Sequence, residues 1–92
     1  PEFLAQFING IKVERLPVYC SLSKTAVEWA IGKYEELFGT SPVVLVVNNL
    51  EFSDALSIGN SLGKQITVVG APIVKNDSFL IGGKSGVVWS SL

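Results

Sequence analysis

The hydrophobic pattern of the chain turns on one stretch, Val43-Val44-Leu45-Val46-Val47-Asn48-Asn49-Leu50-Glu51-Phe52-Ser53-Asp54-Ala55-Leu56. Five consecutive apolar residues, four of them β-branched, are too few for a buried helix or a membrane span. They read as a strand buried on both faces. Two asparagines break the run, and Ser53 or Asn49 is placed to cap a helix that follows at once. A buried strand, a short polar turn and a helix N-terminus form the joint at which open α/β sheets meet their ligands.

Upstream, Leu4, Phe7, Ile8 and Ile11 recur at helical spacing and predict a short helix over residues 3–9, ended by Gly10. Residues 11–19 alternate weakly and predict a strand. Pro17 places that strand at an edge or bends it, because proline donates no ladder hydrogen bond. From Ser21 the period lengthens. Ser23 or Thr25 caps a helix, Thr25 with Glu28 making a capping box. Val27, Ile31, Tyr34 and Phe38 form its apolar stripe, largely opposite Lys24, Glu28, Lys33, Glu35 and Glu36. Gly39 suits the C′ position, and Thr40-Ser41-Pro42 turns the chain into the central strand. Trp29, off the main stripe, is expected to pack on a neighbouring element, with exposure toward a partner as the alternative.

After the central strand, Ser53–Leu62 predicts a second helix with an unusually small inward set, Ala55, Ile58, Gly59 and Leu62, ended by Gly63. Ile66–Val69 predicts a third strand, which Gly70-Ala71-Pro72 interrupts before Ile73-Val74, and Asn76-Asp77 is turn chemistry. Phe79-Leu80-Ile81, the glycine-rich Gly82–Gly86 and Val87-Val88-Trp89 suggest a C-terminal hairpin. The resulting order β-α-β-α-β-β predicts a small Rossmann-like α/β domain of two or three layers. Its sheet is mostly parallel, with three to five strands, right-handed crossovers and two main helices. The expected core is Val27, Ile31, Tyr34, Phe38, Val44, Val46, Leu56, Leu62, Val68 and Ile81.

Composition narrows the function classes. A length of 92 residues makes one domain. It is assigned to residues 4–92, because Pro1-Glu2-Phe3 looks like a restriction-site cloning remnant. Apolar residues at 48%, charged residues at 16% and a mean hydropathy of +0.44 fit apolar surface covered by a partner or by self-association, or else a small compact monomer with a thinly charged surface. The net charge is −1, and the seven basic residues are spread along the chain, with no stripe for nucleic acid. No apolar run approaches the length needed for membrane insertion. The chain has no histidine, which removes Ser-His-Asp, Cys-His and nearly all structural zinc sites. Neither a metal nor a cofactor is expected. With one cysteine, no internal disulfide forms.

The candidate chemistry is modest. Cys20 follows a strand and precedes a capped helix, where thiol and phosphocysteine enzymes keep their nucleophile. Yet Ser21-Leu22-Ser23-Lys24-Thr25 lacks the glycines or arginine that cradle a phosphate, so a buried structural cysteine is the expectation. Gly59-Asn60-Ser61-Leu62-Gly63-Lys64 ends a helix where a phosphate loop would begin one. Asn48 and Asn49 stand where a ligand at the joint would be met, although turn and capping roles explain them equally. Asp54 and Glu51 complement the helix dipole. Gly82–Gly86, which includes Lys84 and Ser85, could present backbone N–H groups to an anion as a nest with Lys84 adding charge, although a plain tight turn is the simpler reading. Asn48, Asn49, Asp54, Lys84 and Ser85 are the candidate binding residues.

Four segments in order resemble the cell-wall-binding repeat type 2 of Gram-positive surface proteins. They are Thr25-Ala26-Val27 with Ala30; Val43–Val47 leading to Phe52-Ser53-Asp54-Ala55-Leu56-Ser57; Leu62-Gly63 with the apolar segment after it; and Leu80-Ile81-Gly82-Gly83 through Gly86-Val87-Val88 and Ser90-Ser91. The helix that the repeat places between its third and fourth strands has no counterpart here. Only one copy is present. The resemblance implies a non-enzymatic Rossmann-like module that assembles in threes at the cell surface and binds an anionic wall polymer. The acidic pI of about 5.2 argues against such a polymer unless Lys64, Lys75 and Lys84 gather on one face. Two other readings stand beside it. One is an intracellular protein–protein interaction domain of a secretion, pilus or phage apparatus. The other is a small thiol enzyme built on Cys20.

Overall fold

The computed structural model describes residues 4–8, 11–63, 65–72 and 74–83. Their order is β1 (Leu4–Ile8), β2 (Ile11–Val18), α1 (Lys24–Phe38), β3 (Val44–Val47), a 3-10 turn (Asn49–Glu51), α2 (Phe52–Ser61), β4 (Thr67–Gly70) and β5 (Phe79–Gly82). One sheet carries them in the spatial order β1-β2-β5-β3-β4. β3 is parallel to β4, while β1 with β2, β2 with β5, and β5 with β3 are antiparallel. The mostly parallel, Rossmann-like sheet expected from the element order is therefore incorrect, and the domain is a two-layer α/β fold on a mixed sheet.

The physical reason is the link between β4 and β5. Parallel neighbours need a crossover of about a dozen residues or more, usually a helix. Only residues 71–78 separate these two strands, so β5 returns antiparallel and fills the position between β2 and β3. The crossover logic itself survives. β2 and β3 run in the same direction, both antiparallel to β5, and β3 and β4 are adjacent and parallel. Both crossovers advance the same way across the sheet, and a common hand then places both helices on one face. Side chains of both α1 and α2 pack in one cluster with Leu16, Val18, Leu45, Val47, Phe79 and Ile81.

The opposite face of β3 is buried too. Val44 and Val46 pack with Ala71 and Val74 from the β4–β5 link. All four β3 residues are thus at most 1% exposed, as the unbroken apolar run requires. α1 starts where Ser23 accepts a hydrogen bond from Ala26 N–H (3.1 Å). Ser23 is the cap, and Thr25 lies inside the helix. It ends at Gly39, with φ +75° and its N–H on Glu35 O. Tyr34 is buried, and its ring meets Phe38 at 4.6 Å between centroids.

Other expectations need correction. Residues 4–8 form a strand, not a helix, and Ile8 pairs with Ile11 across a two-residue link, the length of a tight hairpin. β2 lies inside the sheet. Pro17 falls past the last described β1 pairing, Leu4 with Arg15, and its described partner is Leu80 of β5. Leu56, placed in the core, is 41% exposed. Trp29 is exposed where packing was expected, and Cys20 is exposed where burial was expected. No strand is assigned at Val74. Pro1–Phe3 and the second arm of the C-terminal hairpin lie outside the described residues.

Removing the Leu45 side chain takes a fully buried residue from the row Leu16–Ile81–Leu45. Leu45→Ala is expected to cost about 3 kcal/mol, while Leu50→Ala, on the surface, stays within about 0.5 kcal/mol. Chemical denaturation of both variants checks the contrast.

Candidate functional site

The joint after β3 is built around Asn48. Its side-chain Oδ1 accepts from Leu50 N–H (2.9 Å), and its Nδ2 donates to Val74 O (2.8 Å). The first bond caps the 3-10 turn. The second ties the β4–β5 link across the C-terminal end of β3. Ala71 N–H, donating to Val47 O (2.8 Å), closes the same place from below. The β4–β5 link is thus tied to the C-terminal end of β3, and both polar ends of Asn48 are engaged.

Asn49 is exposed, but its side chain lies over Gly70. A Cβ at Gly70 would fall 2.6 Å from Asn49 Oδ1, so the glycine permits the turn to sit down on β4. Asp54 is exposed in the first turn of α2. Glu51, between them, keeps Oε1 buried without a hydrogen-bond partner. Asn48, Asn49 and Asp54 are therefore brought to one joint, but the asparagines do structural work there. Lys84 and Ser85 lie outside the described residues, as does Lys64. At the described edge of that glycine-rich turn, a Cβ on Gly83 would come 2.8 Å from Tyr34 Oη. Gly83 thus admits the phenol of α1.

The open surface lies elsewhere. A groove of about 570 Å³ runs between the flank of α2 and the start of β4, lined by Leu56, Gly59, Asn60, Ile66, Thr67 and Val68 among others. It exists because α2 turns small residues inward. Ala55 and Gly59 are buried, and a Cβ on Gly59 would touch Val68 at 3.7 Å. Ile58 packs against the core, while Phe52 and Leu56 of the helix are 37% and 41% exposed and Leu50 of the preceding 3-10 turn is 83% exposed. Phe52, Leu56 and Asn60 recur at intervals of four, so they share one flank of the helix. Reading the helix by its small inward set identifies the buried face. The surface of large residues is what remains, and that is the signal the sequence offered.

Among the described residues, no three acidic or cysteine side chains gather as metal ligands, and no helix is long and apolar enough to cross a membrane. No protein-family model matches the chain, and neither a curated protein nor a solved structure matches it.

Asn48→Ala removes the cap and the tie to Val74 together and is expected to cost about 1–3 kcal/mol. Gly70→Ala pushes on the Asn49 side chain. The double variant Asn49→Ala/Gly70→Ala should recover most of that loss. Thermal or denaturant melts of the single and double variants test both statements, and an equal loss from Gly70→Ala with Asn49 or Ala at position 49 would contradict the second.

Proposed function

We propose that this chain is a non-enzymatic binding and assembly module whose working surface is the groove beside β4 together with the outer flank of α2. The observation that carries this reading is the placement of Leu50, Phe52 and Leu56. A short helix that buries alanine and glycine while exposing leucine and phenylalanine holds apolar area outside the core, and such area is characteristic of a contact surface. The low charge content and positive hydropathy support the same reading. The bonds that occupy Asn48 weigh against a small ligand at the β3 joint. Attachment to a cell-wall polymer is the specific form suggested by the sequence resemblance. Its cations would include Lys75, which is exposed.

Light scattering of the purified chain, alone and with purified anionic wall polymer, tests this function. Assembly or polymer binding is expected, and Leu50→Ser/Leu56→Ser should weaken it by about tenfold or more while leaving the far-ultraviolet circular dichroism unchanged. Alkylation of Cys20 should have no effect. A monomer indifferent to polymer would contradict the proposal, and loss of an activity on alkylation would favour the thiol enzyme.

A further inference from the structure

We propose that the outer edge of β4 is a docking edge for a second copy of this chain, paired antiparallel about a two-fold axis at Val68. The inference rests on the assembly function above and names its contact. Thr67 N–H donates to Val43 O (2.9 Å), and Ala71 N–H donates to Val47 O (2.8 Å). By the two-residue period of a parallel ladder, residues 67, 69 and 71 turn their backbone groups toward β3. The N–H and C=O groups of Ile66, Val68 and Gly70 therefore point outward. Among the described residues no strand lies beyond them. An antiparallel copy centred on Val68 sets Val68 against Val68 of the second copy and Ile66 against its Gly70. Each outward donor and acceptor then gains a partner, in the isologous geometry of a two-fold dimer.

Nothing along this edge opposes a second copy. Exposed edges are ordinarily guarded by lysine, proline or a bulge. Residues 65–71 read Gln-Ile-Thr-Val-Val-Gly-Ala and hold no charge and no proline. Two copies therefore meet along this edge with no like charges opposed. α2 touches both β3 and β4. Centred over that pair, it would stand about two strand spacings, roughly 10 Å, from its copy, which is the separation of two packed helices. A strand pair of this length covers less than the roughly 800 Å² per partner of a stable dimer. Leu56 and Asn60, on the flank beside β4, belong to the contact for that reason.

Sedimentation velocity of the 92-residue chain over about 5–500 µM, with wild type compared with Val68→Pro, tests the proposal. Proline at 68 removes an outward N–H and no bond to β3. Val69→Pro removes an inward one and serves as the folding control. A concentration-dependent dimer is expected, its dissociation constant raised about thirtyfold or more by Val68→Pro with the circular dichroism retained. Should Val68→Pro fail to fold, amide exchange of the wild type decides. The Val68 and Gly70 amides become protected as concentration rises if the edge is paired. An assembly that Val68→Pro leaves intact, or that leaves these amides unprotected, overturns the edge contact and spares the broader function. A wild type that stays monomeric over the whole range overturns this inference. If it also ignores wall polymer, the proposed function falls with it.

Discussion

Burial of β3 on both faces is the constraint from which the rest of this fold follows. A strand with four residues essentially inaccessible to water must have a neighbour on each side for its backbone and a covering layer above and below for its side chains. The neighbours are β5 and β4. The layer above is α1 and α2, and the layer below includes Ala71 and Val74 of the β4–β5 link. That link is the economical element. It carries β5 back antiparallel, lends Val74 to the lower face, and lends its Val74 carbonyl to Asn48.

The same constraint explains where the surface is left open. α2 must lie close to the sheet, and Gly59 over Val68 sets that closeness. A leucine at such a position would hold the helix away, so Ala55 and Gly59 take the buried positions with Ile58 beside them, while Phe52 and Leu56 turn outward. β4, the strand beneath, has one neighbour among the described residues and an uncharged sequence. The groove between the two is a consequence of tight helix-on-sheet packing, and the proposed contacts use what that packing leaves unsatisfied.

Much of this was legible along the chain. The valine run declares an interior strand. The α1 stripe holds through Val27, Ile31 and Tyr34, and Gly39 and Gly63 take the positive φ that ends each helix. Strand order was not legible from element order, because a β-α-β pattern fixes direction and not adjacency. The missing helix between β4 and β5 was the available clue to an antiparallel return. The N-terminal strand was hidden by a period that fits both structures. Leu4, Phe7, Ile8 and Ile11 satisfy a helix. Asn9-Gly10, between the paired Ile8 and Ile11, has the composition that closes a two-residue hairpin. The exposure of Cys20 had no signal at all, since a single small apolar residue after a strand fits burial or exposure equally. Of the candidate binding residues, Asn48, Asn49 and Asp54 lie together at the joint after β3, where capping the turn and tying down the link engage both ends of the Asn48 amide.

The arrangement stands on β5 lying between β2 and β3, and the most direct measurement is a set of cross-strand nuclear Overhauser contacts along the row Leu16–Ile81–Leu45. The fold described here requires backbone contacts from Ile81 to both Leu16 and Leu45, with antiparallel spacing on each side. Direct backbone contacts between Leu16 and Leu45, with Ile81 adjacent to neither, would restore a parallel pairing of β2 with β3 and contradict the account.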